Sequence, residues 1–242
     1  MKGVVLGLCP DVTLVDITHD IPPHDILTAA LELASASKYF PAGTIFLAVV
    51  DPGVGSARRG LIAETGDHRF VAPDNGVLTA VLREHKPKRV VELTERRYAR
   101  PTVSRTFEGR DRFAPAAAWL AKGTEATAMG RPVTSWLQLE IPEPRIDETA
   151  LIGEVLLVDR FGNLVSNIDR RQFDQFRHDA AISIAIDGQV IDRLVATYAE
   201  VPAGSLCALF GSSDHLELAL NGGSAADRLG LGRGATVRID RG

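Results

Sequence analysis

Cysteine is nearly absent from this 242-residue chain: Cys9 and Cys207 stand far apart and outside any C-x-x-C spacing. That excludes a disulfide framework and a cysteine-rich zinc site, and the two are expected to be small buried thiols in a reducing cytoplasm. Excess positive charge is missing too. With 27 Lys and Arg against 31 Asp and Glu, the formal net charge is -4, which leaves no basic footprint for a nucleic-acid backbone. No stretch approaches the roughly 20 apolar residues of a membrane span. The apolar stretch Val4–Cys9 runs straight into Pro10 and Asp11 and is shorter than a signal-peptide core. These absences point to a soluble cytoplasmic protein with no membrane or nucleic-acid partner.

What is present is enough apolar sequence, 45% of the chain, to bury two compact units. In the first half, "VTLVDI" (12–17), "TIFLAVV" (44–50) and "RVVEL" (89–93) are short β-branched apolar runs of the sort found in buried parallel strands. Between the first two, Ile26, Ala30, Leu33, Ala34 and Ser37 recur at helical spacing and predict a βαβ unit. Further helices are expected after "PDNG" (73–76) and over 111–123. The alternation predicts a mostly parallel α/β sheet domain over 1–140. The proline-rich, acidic text from about 132 to 149 reads as a linker. The remainder, 141–242, is a series of short strands from "GEVLLVD" to "ATVRI", with Asp187-Gly188 as a hairpin signal, and predicts an antiparallel β domain. There is no internal repeat.

The loop after the second run, "VVDPGVGSARRG", tests as follows. It lacks the lysine of a P-loop, because Leu61 follows Gly60 where the lysine would stand, and it lacks a G-x-G-x-x-G turn. What remains is a carboxylate, Asp51, at the end of a buried strand, where open α/β sheets place ligands, although D-P-G is also a common turn. "VDITHDIPPHD" (15–25) gathers Asp16, His19, Asp20, His24 and Asp25 without a recognised metal-ligand spacing, so a capped structural loop and a ligand-lining loop both stay open. "TFEGRDRFAP" (106–115) sits at a helix start, a place for anionic groups or for an Arg110–Asp111 ion pair. "VDRFGNLVSNI" (158–168) puts Asp159, Phe161 and Asn163 at a strand-turn-strand junction, a ligand surface or an Asx turn.

Together "MKGVVLGLCPDVTLVDITHDIPPHDI", "FPAGTIFLAVVDPGVGSARRG", "FVAPDNGVLT", "FEGRDRFAPAAAWLA", "VDRFGNLVSNI" and "GSSDHLELALNGGSA" resemble the S-adenosyl-L-methionine (SAM) hydroxide adenosyltransferases, relatives of bacterial fluorinase and chlorinase. The resemblance runs in order along nearly the whole chain. It implies an N-terminal α/β domain, a C-terminal β-barrel-like domain, and a homotrimer with active sites between subunits. The implied reaction is hydrolysis of SAM to adenosine and L-methionine, with SAM as substrate and no cofactor or metal.

Residue by residue, the resemblance implies Asp51 as the base and Arg58 as the group holding the nucleophilic water. Glu108 stands where the family commonly has the histidine of F-H-G-R-D. Asp159 would meet the methionine amine, and Ser212 and Ser213 its carboxylate. Phe161 and Asn163 would meet adenine, Phe107 and Gly109 would line the C5′ region, and His24 would lie against the nucleoside. Relatives also carry a T-D-F-G-like strand, whose aspartate binds the ribose hydroxyls, ahead of the segment that here starts Met1-Lys2-Gly3. Either the start codon is placed too late or the chain is truncated; a sequence complete as given implies weaker ribose binding and a sheet one strand short. Asp51 disfavours a halide nucleophile. A non-catalytic SAM or nucleoside binder is the alternative from another class.

Overall fold

Asp25 starts the first long helix by accepting the Thr28 backbone N–H at 3.1 Å and the Thr28 hydroxyl at 2.8 Å, which satisfies donors that the first helical turn leaves unpaired. The computed structural model describes residues 1–242 apart from Glu148 and Asp179. The chain divides into two compact units, Met1–Ile141 and Pro142–Gly242.

In the first unit, in chain order, are α1 (Lys2–Leu8), α2 (Ile26–Ser37), β1 (Ile45–Leu47), β2 (Gly60–Glu64), β3 (Arg69–Pro73), α3 (Thr79–Glu84), β4 (Arg89–Leu93), α4 (Ala114–Ala121) and β5 (Gly130–Pro132). A π-helical turn, Gly109–Phe113, leads into α4. The strands form one sheet in the order β1-β3-β2-β4-β5. Leu61, Ala63, Phe70, Ala72 and Val90 pack with α2 and α3, whereas Ile62, Val71 and Val91 pack with Phe113 and Leu120. Alternate residues therefore serve opposite faces and both faces are covered, which accounts for the continuous apolar runs.

Three expectations for this unit are corrected. The class is α/β, but the sheet is mixed: β1 and β3 are parallel, while β2–β3, β2–β4 and β4–β5 are antiparallel. A β2–β3 hairpin turning at Gly66-Asp67 is the cause. The segment 12–17 forms no strand, so the βαβ unit lacks its first β. Leu14, Val15 and Ile17 are exposed there, because β propensity makes no strand without a partner ladder. Nor is 132–149 a free linker. Val133, Trp136, Leu139 and Ile141 pack on the core of the first unit, and the Leu139 N–H donates to Thr79 Oγ1 at 2.8 Å.

The second unit holds β6 (Arg145–Ile146), β7 (Ala150–Val158), β8 (Leu164–Asp169), α5 (Arg170–Arg177), β9 (Ile182–Ile186), β10 (Gln189–Ile191), β11 (Leu206–Phe210), β12 (His215–Leu220), α6 (Ala225–Leu229) and β13 (Thr236–Arg241). Its antiparallel sheet runs β10-β9-β13-β7-β8-β12-β11, with β6 on β7. A bridge between Leu194, just past β10, and Ala208 of β11 brings the two edges together, so the sheet is nearly a closed barrel and few edges stay unpaired. Leu151, Val155, Leu164, Ile186, Leu216 and Val237 fill it, with Phe173 and Phe176 from α5. Asp187 and Gly188 both have positive φ, +42° and +85°, and turn the β9–β10 hairpin as their sequence predicts. Among the described residues no helix is long and apolar enough to cross a membrane.

Candidate active site

The loop from Asp51 to Arg59 is shaped by local chemistry before it carries any function. Gly55 has φ +79°, and a Cβ there would lie 2.6 Å from the Arg105 carbonyl oxygen, so only glycine lets the loop lie against that segment. Arg105 in turn donates to the Gly55 carbonyl at 3.2 Å, and Asn75 Nδ2 donates to the Val50 carbonyl at 2.8 Å. The two arginines then part. Arg59 donates Nε to Asp74 Oδ2 at 2.8 Å and Nη2 to the Ser135 carbonyl at 2.8 Å, which is a structural latch.

Arg58 instead closes on Asp51 and Glu108. Its Nε donates to Asp51 Oδ1 at 2.8 Å, and its Nη2 is shared between Asp51 Oδ2 and Glu108 Oε2. The three side chains are only 4%, 7% and 12% exposed for Asp51, Arg58 and Glu108. Burial opposes the Arg58 charge, but hydrogen bonding and attraction from Asp51, then from Glu108, outweigh it and hold the guanidinium above its ordinary pKa. The Phe113 ring lies 5.1 Å from the guanidinium carbon and supports it. Nη1 of Arg58 is buried and makes no hydrogen bond among the described residues. A buried, charged donor of that kind is costly unless something uses it.

The neighbouring expectations resolve unevenly. Phe107 is exposed, with the Arg110 guanidinium 5.0 Å from its ring. Gly109 opens the π-helical turn, and a Cβ on it would press on Val49 Cγ1 at 3.1 Å. Asp111 is fully buried and paired with Arg110, with Arg100 and the Ser104 N–H adding bonds. Arg110 first, then Ser104 and Arg100, hold its carboxyl far below the usual carboxylate range. The ion-pair reading of Arg110–Asp111 is therefore the one realised. His24 is exposed on the turn before α2, with φ +69°, and no hydrogen bond joins it to the Arg58 array among the described residues. Asp16 pairs with Lys2 and with His19, and no group of three or more metal-capable side chains occurs among the described residues.

In the second unit, one turn gathers Asp159, Phe161 and Asn163. Asp159 Oδ1 accepts the N–H groups of Phe161 and Asn163, both at 2.8 Å, and its Oδ2 accepts from Asn163 Nδ2 at 2.9 Å. That is an Asx turn. It leaves Phe161 76% exposed beside a buried Asn163, whose amide also reaches the Tyr198 hydroxyl at 3.2 Å. Ser212 and Ser213 lie in the turn between β11 and β12, where the Ser213 carbonyl and His215 Nδ1 are 2.9 Å apart. Below this turn is a residue that the sequence reading passed over. Glu217 is 7% exposed, packs so closely on Gly211 that any Cβ there would collide with its carboxylate, and makes no side-chain hydrogen bond among the described residues. Burial, and then the charge of Asp159, push its pKa up to about 7. A lone acid in the apolar run "LELAL" was the available signal. Tyr198 and Arg112 were missed as well: Tyr198 sits in no recognised spacing, and Arg112 reads as the ordinary i,i+4 partner of Glu108.

Models of the N-terminal and C-terminal domains of SAM hydroxide adenosyltransferases match residues 1–130 and 153–238. The chain belongs to the SAM hydroxide adenosyltransferase family. It is 38% identical to a Salinispora tropica protein named (R)-S-adenosyl-L-methionine hydrolase, over 99% of this chain and 91% of that one. A Thermus thermophilus protein of the same name is also 38% identical, over 99% and 92%. Among solved structures, an uncharacterized conserved protein from Thermotoga maritima is similar at TM-score 0.93 and 34% identity, over 99% of this chain and 93% of that one. In this family member, both stretches that carry the candidate side chains, 51–59 and 106–113, fall inside the N-terminal domain match.

Proposed function

We propose that the protein hydrolyses SAM to adenosine and L-methionine by attack of water at C5′. The observation that carries the reading is the buried Arg58, clasped by Asp51 and Glu108 and keeping one N–H without a partner among the described residues. Family membership and the relatives' names support the same substrate. The chemistry asks little beyond aiming a nucleophile, because the sulfonium makes methionine a ready leaving group. The new bond joins water oxygen to C5′, the C5′–S bond breaks with its electrons going to sulfur, and the water proton leaves to a base. Asp51 takes that proton and Arg58 Nη1 holds the oxygen as its charge develops, a general-base step with electrostatic stabilisation. Charges fixed in advance suit this, since a buried pair needs no rearrangement when the reaction begins.

Recognition falls to the second unit. Phe161 offers an exposed ring to adenine, Asn163 an amide, Asp159 a carboxylate for the ammonium, and Ser212 and Ser213 hydroxyls for the methionine carboxylate. Phe107, Gly109 and His24 complete the nucleoside contacts. No cofactor or metal takes part in this scheme. Assembly as a homotrimer with sites shared between subunits belongs to the same reading, as does a cytoplasmic location, which the free Cys9 and Cys207 support.

Incubation with SAM in oxygen-18 water tests the reaction. Methionine and adenosine labelled at the 5′-oxygen are expected; unlabelled adenosine, or no adenosine, overturns it. Mixing Asp51→Asn and Asp159→Ala proteins tests the shared site, where partial recovery of activity in mixed trimers is expected.

A further inference from the structure

Glu108 presents an electrostatic problem that the Asp51–Arg58–Glu108 group does not solve by itself. Two carboxylates share one guanidinium in a space that leaves Glu108 12% exposed, and one positive charge offsets only one of them. A second carboxylate without its own counter-charge would be costly there. The missing charge comes from Arg112. Its Nη1 donates to Glu108 Oε1 at 2.9 Å and its Nη2 to the Leu93 carbonyl at 3.0 Å, while Glu108 Oε2 faces Arg58. Glu108 thus bridges two guanidinium groups, and Asp51, Arg58, Glu108 and Arg112 sum to zero charge. Arg112 has a second vantage. A cavity of about 270 Å³ is lined by Glu108 and Arg112 together with Thr94, Glu95, Arg96 and Tyr98, and neither Asp51 nor Arg58 lines it. The Glu108–Arg112 pair therefore stands between the array and that space.

We propose that Arg112 is a positioning residue for the hydrolysis: it neutralises Glu108 and fixes that carboxylate against Arg58, so that Arg58 keeps Nη1 aimed at the nucleophile. The inference rests on the reading of Asp51 and Arg58 given above. A purely structural Arg112 would serve only to tie the π-helical turn to the end of β4 through Leu93.

A double-mutant cycle separates the two roles. Single-turnover rate, SAM affinity and urea unfolding are measured for the wild type, Arg112→Leu, Arg112→Gln, Arg112→Lys, Glu108→His and the Glu108→His/Arg112→Leu double variant. Arg112→Leu and Arg112→Gln are expected to slow turnover about tenfold with SAM affinity within about twofold, while Arg112→Lys, which keeps the charge, retains most of the rate. Glu108→His alone is slowed because it strands the Arg112 charge, and the double variant is faster than either Glu108→His or Arg112→Leu. Additive losses, a Lys variant as slow as the Gln variant, or a defect confined to affinity or unfolding would overturn the proposal. Should Arg112→Leu fail to fold, the Lys and Gln pair still decides between charge and packing. A wild-type protein that makes no adenosine sinks the hydrolase reading instead; the unfolding cycle needs no substrate, and additivity there overturns the pairing of Glu108 with Arg112 directly.

Discussion

In the first unit every carboxylate of the array has a guanidinium against it, Asp51 with Arg58 and Glu108 with both Arg58 and Arg112. In the second unit, among the described residues, Asp159 is held by N–H groups and no guanidinium, and Glu217 makes no side-chain hydrogen bond. The difference between the two clusters is one of counter-charge. A carboxylate set against a guanidinium is held in one orientation by charge-assisted hydrogen bonds and is presented to a reactant in place. An unpaired buried acid is instead driven toward its neutral form, and Glu217, pushed up to about 7 by burial and then by Asp159, is such a group. Under the proposed mechanism, chemistry falls to the first arrangement and recognition of the charged substrate to the second.

The sharpest way to break this comparison is to remove charge from the first cluster. Asp51→Asn and Arg58→Ala are expected to lower single-turnover hydrolysis by about 100-fold or more, the usual scale for a base or a charge-stabilising donor, with little change in SAM affinity by calorimetry. Loss of affinity with an intact rate would make the 51–59 loop a substrate-holding turn. Phe161→Ala should do the reverse, weakening SAM binding by about 1 to 3 kcal/mol through lost stacking while bound SAM reacts at the normal rate.

The smallest effect concerns Glu217 and is read in stability. Its folded-state pKa lies near 7 against an ordinary 4.5, so between those values the folded protein holds a proton that the unfolded chain has lost. Stability from this group is therefore greatest on the acid side and declines as pH rises through 7. Glu217→Gln should remove that slope, so the difference between the two unfolding free energies should change steadily between about pH 4.5 and 7 and level off above that. Parallel curves would mean that Glu217 is ionised or solvated after all.

The second unit was the more legible in sequence because its strands alternate and are punctuated by turns, as Asp187-Gly188 illustrates. The first unit misled in two places for one physical reason. "VTLVDI" has the composition of a strand but finds no ladder to join. "GLIAETGDHRFVAP" folds into a hairpin, β2 to β3, whose short turn was overlooked beside the louder D-P-G loop. Pairing direction is a property of neighbours, so composition alone could not reveal that the sheet is mixed. Within the candidate site, Asp51 is legible as a carboxylate ending an apolar run and Glu108 as a charge at a helix start, whereas the roles of Arg58 and Glu108 come only from the resemblance to the family. Arg112 did not stand out, since an arginine four residues beyond a glutamate on a helix reads as an ordinary exposed pair, and nothing in the text reveals that its partner is buried.

The divergence of Arg58 and Arg59 has a consequence for which sequence changes this loop can accept. Two adjacent arginines leave the same backbone in different directions, one to Asp51 and one to Asp74, and they do so directly before β2, whose register is fixed along both edges by β3 and β4. Losing one residue between Pro52 and Ala57 would leave both arginines phased by β2 but shorten the path back to Asp51, pulling the Asp51–Arg58 pair out of register. Gly55 aside, the residues between Pro52 and Ala57 are open to substitution, but the loop's length is not. Insertions and deletions, which surface loops normally absorb with ease, are expected to be lethal to turnover here even where the protein still folds.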